Sequence, residues 1–222
     1  MKNHMTAGRG CYFEQKRRSV HRKCSCWLRR QNDFLDDYSA DSETNDPVLQ
    51  TFLDALSPSE LALARQAGQP WSPAGEVPFE LKPTAGCFQD VGANLARNKA
   101  AFTFAEKVLL VLLEADISQE IRQLTHVNLA IAYFNQRSRP GMLDRCNDHC
   151  SKAIVAGHAT GWAHERLAIN YEKAGELQKA IAVCELALST EGVPSPRSYL
   201  KKDDFQKRLE KLRKKQSKIT GA

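Results

Sequence analysis

The sequence predicts an all-α protein, and three observations carry that prediction. Apolar residues recur at helical spacing, as in Leu49, Phe52, Leu53 and Leu56. Ser57, Pro58 and Glu60 form the start signal of a second helix: a cap, a proline at the first helical position and the third residue of a capping box. Most telling, "NLAIAYF" at Asn128 to Phe134 returns as "RLAINYE" at Arg166 to Glu172, so one helical unit is written at least twice. A duplicated unit that cannot bury its own apolar face stacks on its neighbours, and the expected architecture is an α-solenoid of about three helix-turn-helix units.

The elements follow in order. Residues 1–46 alternate charge blocks with polar clusters such as "YSADSETNDP" and read as a disordered charged tail. Residues 47–68 form a helical hairpin that Gly68 ends. Pro70, Pro73, Pro78 and Pro83 make residues 69–86 a connector rather than a helix, able to pack on the body through Trp71 and Phe79. Residues 87–192 hold the repeats, helical at nearly every turn from Gln89. Within them "VLLVLL" at Val108 to Leu113 is too short to cross a bilayer, which takes roughly 20 residues, and reads as a buried helix segment. Residues 193–222 supply a basic capping helix and tail, with Phe205, Leu209 and Leu212 on one stripe and charge elsewhere.

The repeat period is visible in the Leu-Ala pairs Leu95-Ala96, Leu129-Ala130 and Leu167-Ala168, set 34 and then 38 residues apart. The longer interval is expected to lie in the turn holding Arg139, Pro140 and Gly141, where the last unit turns tightly at Gly175. That last unit, "HERLAINYEKAGELQKAIAVCELAL", resembles a tetratricopeptide repeat: Leu167, Ala168, Tyr171, Gly175, Ala180, Ala187 and Leu188 stand where the family pattern has Leu, a small residue, Tyr, Gly, Ala, Ala and Leu. The middle unit matches through Leu129, Ala130, Tyr133 and Ala153, with Cys146 at the first small position of its second helix. The earliest keeps Leu95, Ala96 and Ala115 but has Lys99 in place of Tyr and no turn glycine. Independently of the family, paired helices approach closely only where small side chains meet, and Ala168, Ala180 and Ala187 serve that need.

Composition narrows the function classes. The formal charge of +6 is unevenly spread: nine basic residues in 1–30 face only Glu14, residues 31–60 contain no Lys or Arg, and the end turns basic again from Arg197. Seven cysteines at irregular spacing indicate free thiols in a reducing, cytoplasmic setting. No apolar run follows the basic start, which argues against a secretory signal, and no segment suggests a membrane partner. A mitochondrial presequence would share the Arg-rich, acid-poor composition, but the segment is short of Ser and lacks an amphipathic period.

Two clusters invite a metal. Cys146, His149 and Cys150 in "CNDHC", and His21, Cys24 and Cys26 in "HRKCSCW", have ligand types at short spacing and would suit a small zinc-binding regulator. The repeat register offers another account of the first: Cys146 takes a small-residue position, and Cys150 matches Cys184 of the next unit. His126 and His164 are likewise equivalent, which indicates packing. No Gly-rich phosphate loop, serine nucleophile motif or interpretable carboxylate pair is present, so no catalytic residue and no cofactor is expected. "KRRSVHRK" and "KRLEKLRKK" give the basic termini a claim on nucleic acid, with Trp27 near the first.

The leading expectation is a non-catalytic scaffold for another protein or peptide. In the tetratricopeptide family the first helices of successive units line a concave groove. The resemblance therefore implies a groove of Leu124, Val127, Asn128, Ile131, Phe134 and Asn135 beside Trp162, Glu165, Arg166, Ile169 and Lys173. Asn128 and Arg166 match two positions of the family's carboxylate clamp, while Ala93, Arg97 and Trp162 depart from it, so the clamp is incomplete. The chain's own helix from Pro58 to Ala67 is a competing occupant.

Overall fold

The computed structural model describes residues 44–69, 79–158, 161–190 and 202–220. Among them the chain is mostly helical, with no β-strand; extended pairing is limited to an isolated antiparallel bridge between Asn45 and Thr84. The first helix, α1 (Pro47–Asp54), begins where Asp46 Oδ1 accepts the amides of Val48 and Leu49 at 2.8 and 3.1 Å. The other oxygen of Asp46 accepts the Asp116 amide at 3.1 Å, and its own amide donates to the Pro83 carbonyl at 2.8 Å. These bonds tie down the last residues of the segment that composition assigns to the tail. The rest of that expected tail, residues 1–43, lies outside the described residues, as do His21, Cys24, Cys26 and Trp27.

Helix α2 (Pro58–Gly68) starts with the full capping box. Ser57 Oγ accepts the Glu60 amide at 3.3 Å, and Glu60 Oε2 accepts the Ser57 amide at 2.9 Å. At its far end the Phe79 ring lies against Gly68, where an added Cβ would fall 2.1 Å from the ring. Phe79 thus packs as expected of the connector; Trp71 lies outside the described residues.

Helix α3 (Ala85–Arg97) begins four residues before Gln89, because Thr84 Oγ1 accepts the Cys87 amide at 3.4 Å and fixes an earlier cap. A short 3-10 turn at Lys99–Ala101 leads to α4 (Phe102–Glu114). The two helices meet closely at Gly92, whose absent Cβ would sit 2.4 Å from Leu109 Cδ2. In "VLLVLL", Val108, Leu109 and Leu112 are buried while Leu110 is exposed, so this run keeps one wet side.

The remaining helices are α5 (Gln119–Asn135), α6 (Met142–Val155), α7 (Gly161–Lys173), α8 (Leu177–Ser189) and α9 (Lys202–Thr220). The turn from α5 to α6 takes residues 136–141, whereas that from α7 to α8 needs only 174–176. The turn of the longer interval is thus three residues longer than the tight one, and the rest of the four-residue difference between the two intervals lies elsewhere. Gly141 and Gly175 adopt φ of 75° and 80° in the two turns, a region glycine enters without steric cost.

Successive helices pack on one another: α2 on α3, α3 on α4 and α5, α4 on α5, then α5 to α9 in chain order, with α1 resting on α4. One core cluster runs from Ala96 and Leu109 through α5 to α8 and ends on Phe205, Leu209 and Leu212 of α9. Among its members are small side chains, namely Ala130, Cys146, Cys150, Ala153, Ala168, Ala180, Cys184 and Ala187, all 0% exposed. Small residues let two helical backbones approach to interior packing density, which is why the cysteines and alanines interchange at these places.

Candidate functional site

The expected groove residues lie on α5 and α7, and the fold gives them unequal access to solvent. On α5, Leu124, Ile131, Phe134 and Asn135 are half-buried, whereas Val127 and Asn128 are buried, Val127 within the core cluster. On α7, Trp162, Arg166 and Ile169 are half-buried, and Glu165 and Lys173 are exposed. Asn135 serves the fold as much as the face, since its Nδ2 donates to the Ala96 carbonyl at 3.0 Å, while Gln136 Nε2 donates to the Lys99 carbonyl at 2.9 Å. These two bonds hold the end of α5 against the turn between α3 and α4.

Arg166 joins the two helices. Its guanidinium lies 3.9 Å from the centroid of Phe134 and 5.6 Å from that of Trp162. Arg137, which no sequence motif singles out, places a second guanidinium 4.5 Å from the same Phe134 ring. It sits three residues after Phe134, a helical neighbour, and that spacing was the available signal. A cation over an aromatic face is attracted by the ring quadrupole. Arg166 Nε is buried and makes no hydrogen bond among the described residues. The α5–α7 face therefore combines partly covered apolar side chains with two arginine head groups.

The competing occupant, the chain's own α2, packs on α3. Asn94 Nδ2 donates to the Ala67 carbonyl at 2.8 Å, and Asn94 is the counterpart of Asn128 one period earlier. The chain thus covers part of the corresponding face on α3.

Behind the face lies a polar network that the sequence motifs do not announce. His126 Nδ1 and His149 Nδ1 are 3.1 Å apart, so one ring must donate and the other accept. The Tyr133 ring stacks on His149 with centroids 5.4 Å apart, and its hydroxyl donates to Glu106 Oε1 at 2.7 Å. Arg145 pairs with that same oxygen at 2.9 Å. Burial, aided by the hydrogen bond to Glu106, pushes the Tyr133 hydroxyl up to about 12. Burial first, and the neighbouring His126 second, hold His149 down at about 4.

The cysteines of "CNDHC" point into the interior. Cys146 and Cys150 are fully buried, and Asn170 Nδ2 lies 3.9 Å from Cys146 Sγ. The contact with Cys146, and then burial, push the Cys150 thiol up. Cys87, Cys146, Cys150 and Cys184 are free thiols. His149 faces His126 and Tyr133, and among the described residues no three His, Cys, Asp or Glu side chains converge on a point that could hold a metal ion.

A cavity of about 730 Å³ lies apart from this face, lined by Asp46, Pro47, Glu114, Asp116 and Ile121 among others, where α1 meets the α4–α5 turn. It contains none of the expected groove residues. No helix among the described residues is long and apolar enough to cross a membrane. The chain matches no protein-family model, no curated protein and no solved structure.

Proposed function

We propose that α3 to α8 are three tetratricopeptide-like units forming a solenoid capped by α9, and that the chain is a non-catalytic scaffold binding a peptide or helix of another protein. The reading is supported by the fully buried small side chains recurring along α5 to α8 and by the order in which the helices pack. The observation that carries it is the half-buried strip of Ile131, Phe134, Trp162 and Ile169 on the first helices of successive units, with Arg166 spanning the two. Ordered apolar side chains left partly open beside charged groups suit a segment that brings its own apolar anchor. Buried thiols within the core favour a reducing compartment such as the cytoplasm.

The test is selection of displayed peptides on the immobilised full chain, followed by affinity measurements with Phe134→Ala and Trp162→Ala. Aromatic anchors at interfaces typically contribute roughly 2 kcal/mol or more on truncation, so a loss of about thirtyfold is expected. Both side chains also rest on the core, so melting is measured alongside, and the exposed Lys173→Glu variant serves as a probe that leaves packing intact. Selected peptides that bind all three folded variants like the parent would overturn the groove.

A further inference from the structure

We propose that the outer face of α9 is a docking strip for the phosphate backbone of a nucleic acid. This rests on a different surface from the α5–α7 face and stands apart from it.

Lys207, Lys211, Lys214, Lys215 and Lys218 are all exposed. At 3.6 residues per turn these positions fall in a single stripe, spaced four, three, one and three residues apart. The stripe lies opposite Phe205, Leu209 and Leu212, which are buried against α8. Packing therefore fixes which way the lysines face.

The two arginines of the helix are already engaged. Arg208 reaches Glu172 at 3.1 Å and Arg213 reaches Glu185 at 2.8 Å; both acids belong to the body of the protein. Lys211 shares Glu172 at 3.5 Å, while Lys207, Lys214, Lys215 and Lys218 form no ion pair among the described residues. Asp203, Asp204 and Glu210 lie towards the start of the helix, and no acidic residue follows Glu210. The positive potential consequently grows along α9.

The chemistry of the strip selects its occupant. From Lys207 to Lys218 it runs about 16 Å at 1.5 Å per residue, which spans about five phosphates of one strand at roughly 3.4 Å each. Insertion into a lipid surface takes an apolar face, yet the apolar side chains of α9 are committed to α8, leaving Ile219 exposed and only charge attraction to an anionic leaflet. A protein interface would need an apolar centre, and the stripe has none. A regular polyanion is held by counterion release alone and requires neither.

The experiment measures anisotropy of a labelled 20-nucleotide single strand and a 20-base-pair duplex with the full chain at 50, 100 and 200 mM KCl. The comparison is a fivefold variant, K207Q/K211Q/K214Q/K215Q/K218Q, with the matching five-Arg variant as rescue. Wild type is expected to bind without sequence preference and to weaken steeply with salt. The Gln variant should bind at least tenfold more weakly at 100 mM, with a log–log salt slope shallower by about 4, since each of five neutralised phosphates contributes roughly 0.7 to 0.9. The Arg variant should restore both, and all three should melt alike.

Failure of wild type to bind would overturn the proposal. So would a Gln variant that binds as wild type does while K16Q/R17Q/R18Q loses binding, since recognition would then belong to the basic block in residues 1–30. Binding only to phosphatidylserine vesicles, or equal competition by polyglutamate, would reassign the strip to a membrane or to an acidic protein.

Discussion

His149 shows how much one position can carry. It is 8% exposed, its Nδ1 faces His126, and its folded-state pKa of about 4 lies below the ordinary 6.5. The groups around it are Lys152, Asp148 and Arg145 on α6, His126 on α5 and the Tyr133 ring, so burial, the adjoining His126 and two cations oppose protonation against one nearby carboxylate. His158 is also held at about 4, chiefly by burial. Well above the unfolded value of 6.5 both states are neutral at these rings and their contribution is complete. As pH falls the unfolded chain takes up protons first, so stability is lost progressively from about pH 7 to about pH 4. Each ring contributes on the order of 2–3 kcal/mol to that loss. Urea midpoints at pH 7.5, 6, 5 and 4 should fall steadily, and His149→Phe should flatten the trend; a flat wild-type profile would contradict the burial of these rings. None of this network could be read from the sequence, because Glu106, His126, Tyr133, Arg145 and His149 come from three helices and share no local pattern.

Between elements, the alanine and cysteine positions set how closely helices lie. Ala180 on α8 is fully buried and belongs to the core cluster. Replacing it with Leu adds three methylene-sized groups to a closely packed contact, at a cost of roughly 1 to 3 kcal/mol. Thermal or urea unfolding measures this directly, and an unchanged midpoint would refute the register drawn for α7 and α8. The burial of Leu167, Ala168 and Ala180 was legible because leucine and alanine at fixed spacing mark a helix face whatever its partner. The longer turn between α5 and α6 was legible too, since Pro140 and Gly141 marked it, though it holds only part of the difference between the intervals.

Across the whole molecule, the core ends on α9. Phe205, Leu209 and Leu212 close the apolar side of α8, while Glu172 and Glu185 anchor the helix through Arg208 and Arg213. Leu212 is 0% exposed, and Leu212→Ala should destabilise the chain by roughly 2–5 kcal/mol. Breaking the exposed Arg213 pair should change stability by less than about 1 kcal/mol. Denaturant unfolding of Leu212→Ala beside Arg213→Gln separates the two. Comparable losses would mean that ion pairs, rather than apolar burial, hold the cap in place.

The sequence by itself determined the helical class, the capping box at Ser57, the glycine turns at Gly141 and Gly175 and the inward positions of Cys146, Cys150 and Cys184. These follow from backbone periodicity and local hydrogen bonding, which neighbours along the chain dictate. Only the tertiary structure decided which of the expected groove positions stay open. Val127 and Asn128 share a helix with Ile131 and Phe134 yet are buried, and Asn135 is bonded to Ala96 of α3. Burial depends on what the next helix brings to the contact, and that partner lies dozens of residues away. The same reason explains Arg166 over Phe134, and α2 against α3: a periodic pattern tells which face of a helix is apolar, while packing decides what covers it.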